Sequence, residues 1–366
     1  MGYAAVPPVE RGSCSAGANN RDITFDFVKG ILIILVVLGH LLQLVIYRNT
    51  DNFWLSPYFK AIYMFHMPLF MAISGYLASG TILRTSFCRA VGDRAVQLLI
   101  PMLFWCALIE TAKLAAFFHF SGVTAGLLDF SRELVGTYWF LWAVLASFLL
   151  TKLFAAFNLL SKWILCASAI VIALMPITLS IVPLLRYTYP FFCLGFLFAQ
   201  TIEEQANTML RHKSLLMFSC WAVACLCFLD WGRDTYAYNN LVLVHDAQSA
   251  KQVLLMFTGS AAAAAVAAQS LFHCWRVLCS TRLARLVAVE LGQSTLLLYL
   301  VQGAVFRLTD LIQFGELWDG KTRIVVASAI GAAIFGAATA VLWIVNDLGY
   351  VSRIIVGAPR RLKRSS

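Results

Sequence analysis

Residues 21–40 read RDITFDFVKGILIILVVLGH and are the stretch that decides the fold. The segment begins polar and then becomes almost entirely apolar, which predicts a helix that enters a membrane. Lys29 stands at the start of the apolar run, and His40 lies inside it, eleven positions further on. On an α-helix, eleven steps of about 100° bring both side chains to one face, with His40 about 16 Å deeper. An ionisable group at that depth is costly, which favours a functional role for His40.

The composition of the chain extends this interpretation from one helix to the whole protein. Of the 366 residues, 61% are hydrophobic and only 13% are charged, whereas a soluble protein has about 25% charged residues. The sequence therefore predicts an all-α fold, a polytopic transmembrane helix bundle of about ten spans. The formal net charge of +10 comes from basic segments between apolar runs. That pattern indicates membrane lipid as a partner and argues against nucleic acid.

The basic residues also predict the orientation in the membrane. With the N-terminus in the cytoplasm, about 18 of the 28 basic residues fall on the inner side, as the positive-inside rule requires. We therefore predict a multi-pass protein of the inner (plasma) membrane with both termini cytoplasmic. Three parts are expected: a polar N-terminal segment over residues 1–27, a membrane domain over 28–345 and a basic tail over 346–366.

A second histidine lies in the predicted second span, where residues 65–77 read FHMPLFMAISGYL. His66 is expected about 12 Å from the outer surface, which brings it toward the level of His40. Pro68 has no backbone N–H and should free a carbonyl group near His66. Two histidines at similar depth favour chemistry, although a single one is often only hydrogen-bonded to a neighbouring helix. Close packing or a local break is expected at Ser74, Gly75 and Tyr76.

The segment after this span is basic, with Arg84, Arg89 and Arg94 close together and Pro101 soon after. Three arginines on the inner side satisfy the positive-inside rule without any ligand. Clustered guanidinium groups are also well suited to phosphates, which they bind through paired hydrogen bonds. The residues alone leave both interpretations open.

Polar residues in other predicted spans have simpler explanations. Glu110 and Lys113 are three positions apart, which favours an ion pair within one helix, although Glu110 is also a candidate partner for a histidine. The ninth predicted span has polar side chains expected to hydrogen-bond to other helices, namely Gln293, Ser294, Thr295 and Gln302. The aromatic and polar loop over residues 230–252 either binds a carbohydrate or consists of ordinary interface residues. No cysteine spacing is typical of a zinc site, so no metal is expected.

Taken together, these residues resemble the acyltransferase 3 family of integral-membrane O-acyltransferases, and the similarity covers most of the chain. Position 29 is lysine here, where many members have arginine, and lysine is a point charge without the guanidinium fork. The beginning of the chain is most similar to the fucose 4-O-acetylase-like subgroup. The similarity is strongest at Asp26–Lys29 with Gly39–His40, at His66–Phe70 with Ile73–Tyr76, and at Arg94 with Pro101.

The resemblance implies transfer of a short acyl group, often acetyl, from cytoplasmic acyl-CoA to a hydroxyl of a cell-surface or exported glycan. Acetyl-CoA would be a donor substrate and not a permanently bound cofactor, and the acceptor would be a glycan or a lipid-linked sugar. His40 is then expected to act as general base or to carry the acyl group, while His66 orients the acceptor or assists proton transfer. The CoA phosphates are expected at Lys29, Arg84, Arg89 and Arg94.

Two other classes of protein fit parts of the pattern. A transporter or flippase for a lipid-linked or small anionic solute also needs polar residues inside the membrane. A non-catalytic membrane scaffold needs neither paired histidines nor a basic inner segment, and the pattern disfavours it.

Overall fold

The computed structural model describes residues 23–48, 50–117, 123–175, 177, 182–236, 244, 246–309, 319–345 and 348–357. Within these ranges the regular elements are helical and strands are absent, so the predicted all-α class is confirmed. Most of the predicted N-terminal segment and the end of the predicted basic tail lie outside the described residues. The division into three parts therefore stays a prediction.

The described residues form fourteen α-helices. In chain order they are α1 (Ile23–His40), α2 (Asp51–Leu55), α3 (Pro57–Tyr63), α4 (His66–Arg84), α5 (Phe87–Phe117), α6 (Val123–Gly136), α7 (Trp139–Ala156), α8 (Lys162–Leu174), α9 (Val182–Asp230), α10 (Ala247–Leu278), α11 (Arg282–Leu286), α12 (Thr295–Thr309), α13 (Gly320–Val345) and α14 (Gly349–Val356). A π-helix over Leu41–Ile46 continues α1, a second over Val287–Gly292 joins α11 to α12, and a 3-10 turn occupies Arg233–Thr235.

Seven stretches of the described chain are long and apolar enough to cross a membrane. An eighth span results if Arg282–Gly292 and Thr295–Thr309, which meet at a bend of 72°, are taken as one. Two shorter apolar stretches, Lys162–Leu174 and Ser214–Asp230, coincide with two further spans that the sequence predicts, over residues 163–183 and 214–229. A polytopic helix bundle is thereby confirmed, while the number of ten spans and the cytoplasmic termini stay predictions.

The chain reverses direction within α9. Phe191 packs on Phe257 of α10 with ring centroids 5.8 Å apart, and Cys227 lies against Gly259, also of α10. On a straight helix, Phe191 and Cys227 would be about 54 Å apart. Because both meet α10 at one level, the two apolar stretches of α9 must lie side by side and run in opposite directions.

Glycines set the closest approaches between helices. A Cβ atom added at Gly75 of α4 would lie 2.0 Å from the carbonyl oxygen of Phe192 in α9. A Cβ atom at Gly292 would lie 1.8 Å from the carbonyl oxygen of Asp26 in α1. A side chain at either position would overlap with backbone atoms, so these glycines let α4 pack on α9 and the second π-helix pack on the beginning of α1.

The first part of the predicted basic tail belongs to the bundle. α14 packs on α5, where Trp105 Nε1 donates a hydrogen bond of 3.1 Å to the carbonyl oxygen of Ile355. Gly357 ends the helix with a φ of +71° and lies against the carbonyl oxygen of Gln97. The sequence did not predict this helix, because its eight residues are too few to form a span.

Candidate active site

One face of α1 lines a cavity and leads to a histidine. Lys29, Ile33 and Val36 all contribute to the lining, and His40 is one further turn along the same stripe. α1 ends at His40, where the backbone changes to the π-helix over Leu41–Ile46. Such π-helical turns often occur at functional sites. The structure therefore places Lys29 and His40 on one helix face, about 16 Å apart along the helix axis.

The cavity has a volume of about 200 Å³ and lies among α1, α4, α5, α7, α9 and α12. Val36 is one turn before His40 and Met67 directly follows His66, so these two lining residues mark the end nearest the histidines. The cavity thus extends from two cations toward two imidazoles through a mostly apolar and aromatic passage. Its polar lining residues are Lys29, Ser74, Arg94, Gln97, Thr295 and Tyr299.

The two cations are held by neighbouring side chains. Lys29 Nζ lies 2.8 Å from the carboxylate of Asp26, which is buried. Arg94 Nη1 donates a hydrogen bond of 2.9 Å to Gln97 Oε1. The Arg94 guanidinium also lies 5.2 Å from the centre of the Phe148 ring, a favourable cation–π contact. These contacts fix the positive end of the cavity.

The His40 ring is oriented from α12. Its Nδ1 lies 2.8 Å from Gln302 Oε1, and the ring packs on Phe306 with centroids 5.4 Å apart. An amide oxygen only accepts hydrogen bonds, so Nδ1 carries the proton and Nε2 keeps its lone pair. His40 is half-buried. The interhelical hydrogen bond predicted for Gln302 is confirmed, and its partner is the candidate catalytic histidine.

His66 is oriented by a break in its own helix. Pro68 cannot donate to the carbonyl of residue 64, and α3 and α4 are separated at Met64 and Phe65. His66 Nδ1 lies 2.8 Å from the carbonyl oxygen of Ile62, so here too Nδ1 carries the proton and Nε2 keeps a lone pair. His66 is buried. The Tyr63 ring packs on His66 with centroids 5.0 Å apart and also lies against Gly39, the residue before His40.

Two of the predicted phosphate-binding residues lie away from this cavity. Arg84 is in the last turn of α4 and is exposed. Arg89 is also exposed and lies 3.9 Å from the carboxylate of Asp93. The structure thus brings Lys29 and Arg94 together at the cavity, and it places Arg84 and Arg89 outside the lining.

The predicted supporting residues take various positions. Ser74 lines the cavity, and its Oγ donates a hydrogen bond of 2.8 Å to the carbonyl oxygen of Phe70. Tyr76 stacks on Phe25 with ring centroids 4.6 Å apart. Glu110 accepts a hydrogen bond of 2.8 Å from Lys113, which is the intrahelical pair that their spacing favours. Among the described residues, neither histidine contacts Glu110.

The described residues of the loop after α9 give little support to the prediction that this loop binds a carbohydrate. Trp231 is only 1% exposed, so its ring is not available for stacking on a carbohydrate. Tyr236 packs on Tyr63 with ring centroids 5.3 Å apart. Residues 237–243 of this loop lie outside the described residues.

A buried charge cluster joins three helices near the far end of α12. Glu133 of α6 accepts hydrogen bonds from Lys113 at 2.6 Å, from Thr137 at 2.7 Å and from Arg307. Burial alone would raise the pKa of Glu133, but the hydrogen bonds from these partners outweigh it and hold the pKa below its ordinary value. The sequence analysis did not single out Glu133, which lies in a partly polar stretch between apolar runs. Since α12 carries both Gln302 and Arg307, the cluster helps to fix the helix that orients His40.

Replacement of Glu133 with glutamine should destabilise the protein by about 2 kcal/mol, because Lys113 and Arg307 lose their shared carboxylate. The loss stays below that of a fully buried pair because Arg307 is 44% exposed to solvent. The folded-state pKa lies below the unfolded value of about 4.3, so the stabilisation is complete at neutral pH and is lost as the pH falls through the folded-state pKa. Thermal unfolding in detergent at pH 7 and at acidic pH measures both effects. Glu110→Gln is the control. It should lower the free energy of unfolding much less, since Lys113 keeps its ion pair with Glu133. An equal loss for both variants at pH 7 would contradict the cluster.

Comparison with known proteins identifies the family of the chain. Residues 22–345 match the acyltransferase 3 model of an acyltransferase domain. The chain is 65% identical over 351 residues to nodulation protein NolL of Mesorhizobium japonicum, which corresponds to 96% of this chain and 94% of that protein. No solved structure matches the chain. The chain belongs to the acyltransferase 3 family and is a multi-pass membrane O-acyltransferase.

Proposed function

We propose that this protein transfers an acetyl group from acetyl-CoA to a hydroxyl of an exported or cell-surface glycan, at the inner membrane. The observation that carries the proposal is the cavity lined by Lys29 and Arg94 at one end and, at the other, by Val36 and Met67, the lining residues nearest the two histidines along the chain. Phosphates are expected at the cationic end, where charge-assisted hydrogen bonds are strongest. The reacting carbonyl is expected at the end near the imidazoles.

The size of the cavity decides which part of the donor enters it. A volume of about 200 Å³ is too small for the whole of acyl-CoA, and the mostly apolar lining suits the acylated end of the pantetheine arm. Lys29 and Arg94 then bind the CoA phosphates that adjoin the pantetheine arm. With the phosphates at Lys29, we expect the thioester within reach of the imidazole, because Lys29 and His40 are about 16 Å apart along α1.

The chemistry centres on Nε2 of His40. As general base, this nitrogen removes the proton of a sugar hydroxyl, whose oxygen attacks the thioester carbonyl. The CoA thiolate leaves and takes the proton back from the imidazolium. Alternatively, Nε2 attacks the thioester carbonyl and expels the CoA thiolate; the sugar hydroxyl then attacks the acyl-imidazole, Nε2 leaves, and the hydroxyl proton passes to the thiolate. Both routes need the tautomer that Gln302 maintains, and His66 then orients the hydroxyl or passes on a proton.

The acceptor is inferred by similarity. The related protein is named for nodulation, and the beginning of the chain resembles the fucose 4-O-acetylase-like subgroup. We infer a sugar hydroxyl of an exported glycan as the acceptor. Mass spectrometry of secreted and surface glycans from cells with and without the gene tests this inference. Loss of one acetyl group per modified sugar is expected, and unchanged glycan masses would contradict it.

A transporter is the rival class, since a cationic cavity also suits an anionic solute. Membranes that contain the protein should release CoA from labelled acetyl-CoA and transfer the label to added glycan. A transporter moves solute and releases no CoA. Absence of protein-dependent CoA release in the presence of glycan would therefore overturn the proposed function.

Neutralising the cations should weaken donor binding. Lys29→Gln and Arg94→Gln are each expected to raise the KM for acetyl-CoA about tenfold, because each removes a charged hydrogen-bond donor to phosphate. The KM for the glycan acceptor should change less than twofold. Arg132→Gln is the control, since Arg132 is exposed on α6 and away from the cavity. Equal changes in donor and acceptor KM would contradict a donor-binding role.

A further inference from the structure

A second, larger cavity lies where α4, α5 and α7 end or begin. Its volume is about 640 Å³, and its polar lining is supplied by Thr85, Ser86, Lys152, Asn158 and Gln200. Phe87, which is 38% exposed, adds an aromatic ring to the lining. By the predicted orientation this cavity opens toward the cytoplasm. Polar groups with one available aromatic face are suited to a ligand that is both polar and planar.

Lys152 supplies a fixed positive charge to this cavity. It is only 4% exposed, and its Nζ donates hydrogen bonds of 2.7 Å and 2.6 Å to the carbonyl oxygens of Ile82 and Thr85. An ammonium group has three N–H donors, so one remains for a ligand. Among the described residues, no carboxylate contacts Lys152. A buried charge without a counter-charge is costly, and an anionic ligand would supply one.

The second cavity continues the line of the first. Ala78 of α4 and Phe148 of α7 line the first cavity, which is proposed to hold the pantetheine arm and is called the donor cavity below. Ile82 and Lys152, each one turn further along the same two helices, line the second. Residues four positions apart lie on one helix face. The two cavities are therefore neighbours along the groove between α4 and α7, at the cationic end of the donor cavity.

The two arginines that lie outside the donor cavity are next to lining residues of the second cavity. Arg84 lies within the lining segment over residues 82–87, Arg89 lies two positions after it, and both are exposed. The four predicted phosphate-binding residues thus divide between two cavities. Lys29 and Arg94 line the first, while Arg84 and Arg89 stand beside the second.

We propose that the second cavity binds the adenosine 3′,5′-bisphosphate part of the acyl-CoA donor, with Lys152 as its fixed cation. The adenine ring stacks on Phe87, and the phosphates lie between Lys152, Arg84 and Arg89. This proposal rests on the proposed function, since it names the site for the other half of the same donor. A phosphate ligand also has a second source, the headgroup of an anionic lipid.

The test measures binding and needs no catalysis. Purified protein in nanodiscs of neutral lipid is titrated with adenosine 3′,5′-bisphosphate alone. Wild type should bind it, and Ala156→Trp, which adds a large side chain at the cavity lining, should bind at least about tenfold more weakly. Leu153→Trp is the matched control on the exposed side of α7 and should bind as wild type does. Lys152→Met should also weaken binding, and Ala156→Trp covers the case in which loss of the two carbonyl contacts prevents folding.

The other outcomes count either against the site or against the proposed function. Equal binding by wild type and Ala156→Trp overturns it, as does absence of nucleotide binding by wild type. If phosphatidylglycerol co-purifies with wild type but not with Ala156→Trp, and the nucleotide does not bind, the cavity is a lipid site and the proposal is wrong. Nucleotide binding without any acyl transfer leaves the site standing and overturns the proposed function instead.

Discussion

His40→Ala should lower the rate of acetyl transfer by about 10³-fold in kcat, the range expected when a general base is lost. The loss should be in kcat, because His40 is not among the residues that line the donor cavity. Loss of an acyl-carrying nitrogen would have at least as large an effect. Transfer of labelled acetyl from acetyl-CoA to glycan, measured with purified protein, provides the rate.

A second histidine provides the control for this change. His273 is exposed on α10, so His273→Ala removes an imidazole without touching the cavity and should retain full activity. His40→Ala must also show a normal thermal transition, since its ring packs on Phe306. A folded His40→Ala protein with more than one-tenth of wild-type activity would show that another group performs the chemistry.

Gln302→Leu is expected to lower kcat by about 10²-fold, because residues that orient a functional imidazole typically contribute 10- to 100-fold or more. The side chain of Gln302 is buried, and its amide oxygen holds the proton on Nδ1 of His40. Leucine keeps the volume but loses the acceptor, so the ring can rotate and present the wrong nitrogen.

Rescue separates positioning from packing. Gln302→Glu retains an oxygen acceptor and should recover part of the activity that Gln302→Leu loses. The donor KM should stay close to that of wild type in both variants. Gln293→Leu is the control, since no hydrogen bond joins this glutamine to His40 among the described residues. If Gln302→Leu and Gln302→Glu lose activity equally, Gln302 has only a packing role.

The fold was largely predictable from the pattern of the sequence. Within a membrane every backbone group must be hydrogen-bonded internally, so long apolar runs with few charges leave helices as the natural outcome. The same periodicity placed Lys29 and His40 on one face of α1. The short helix α14 was missed, because hydropathy finds spans and does not find short helices that pack on them.

Contacts between distant parts of the chain could not be predicted in the same way. Gln302 and His40 are 262 positions apart, and the sequence indicated only that Gln302 would bond to some neighbouring helix. Glu133 was not singled out from the sequence, although it is the centre of a buried charge cluster. The sequence of the basic segment after α4 indicated its side of the membrane. It did not distinguish Arg94, which lines the cavity, from Arg89, which does not; that difference is visible only in the folded structure.

The central claim is that two residues of α1 have separate roles: Lys29 binds the donor, and His40 performs the chemistry. Equilibrium binding of CoA to purified variants tests it most directly. His40→Ala should bind CoA within about twofold of wild type, whereas the double variant Lys29→Gln/Arg94→Gln should bind at least about tenfold more weakly. The account is contradicted if His40→Ala loses CoA affinity as strongly as the double variant, or if the double variant binds CoA as wild type does.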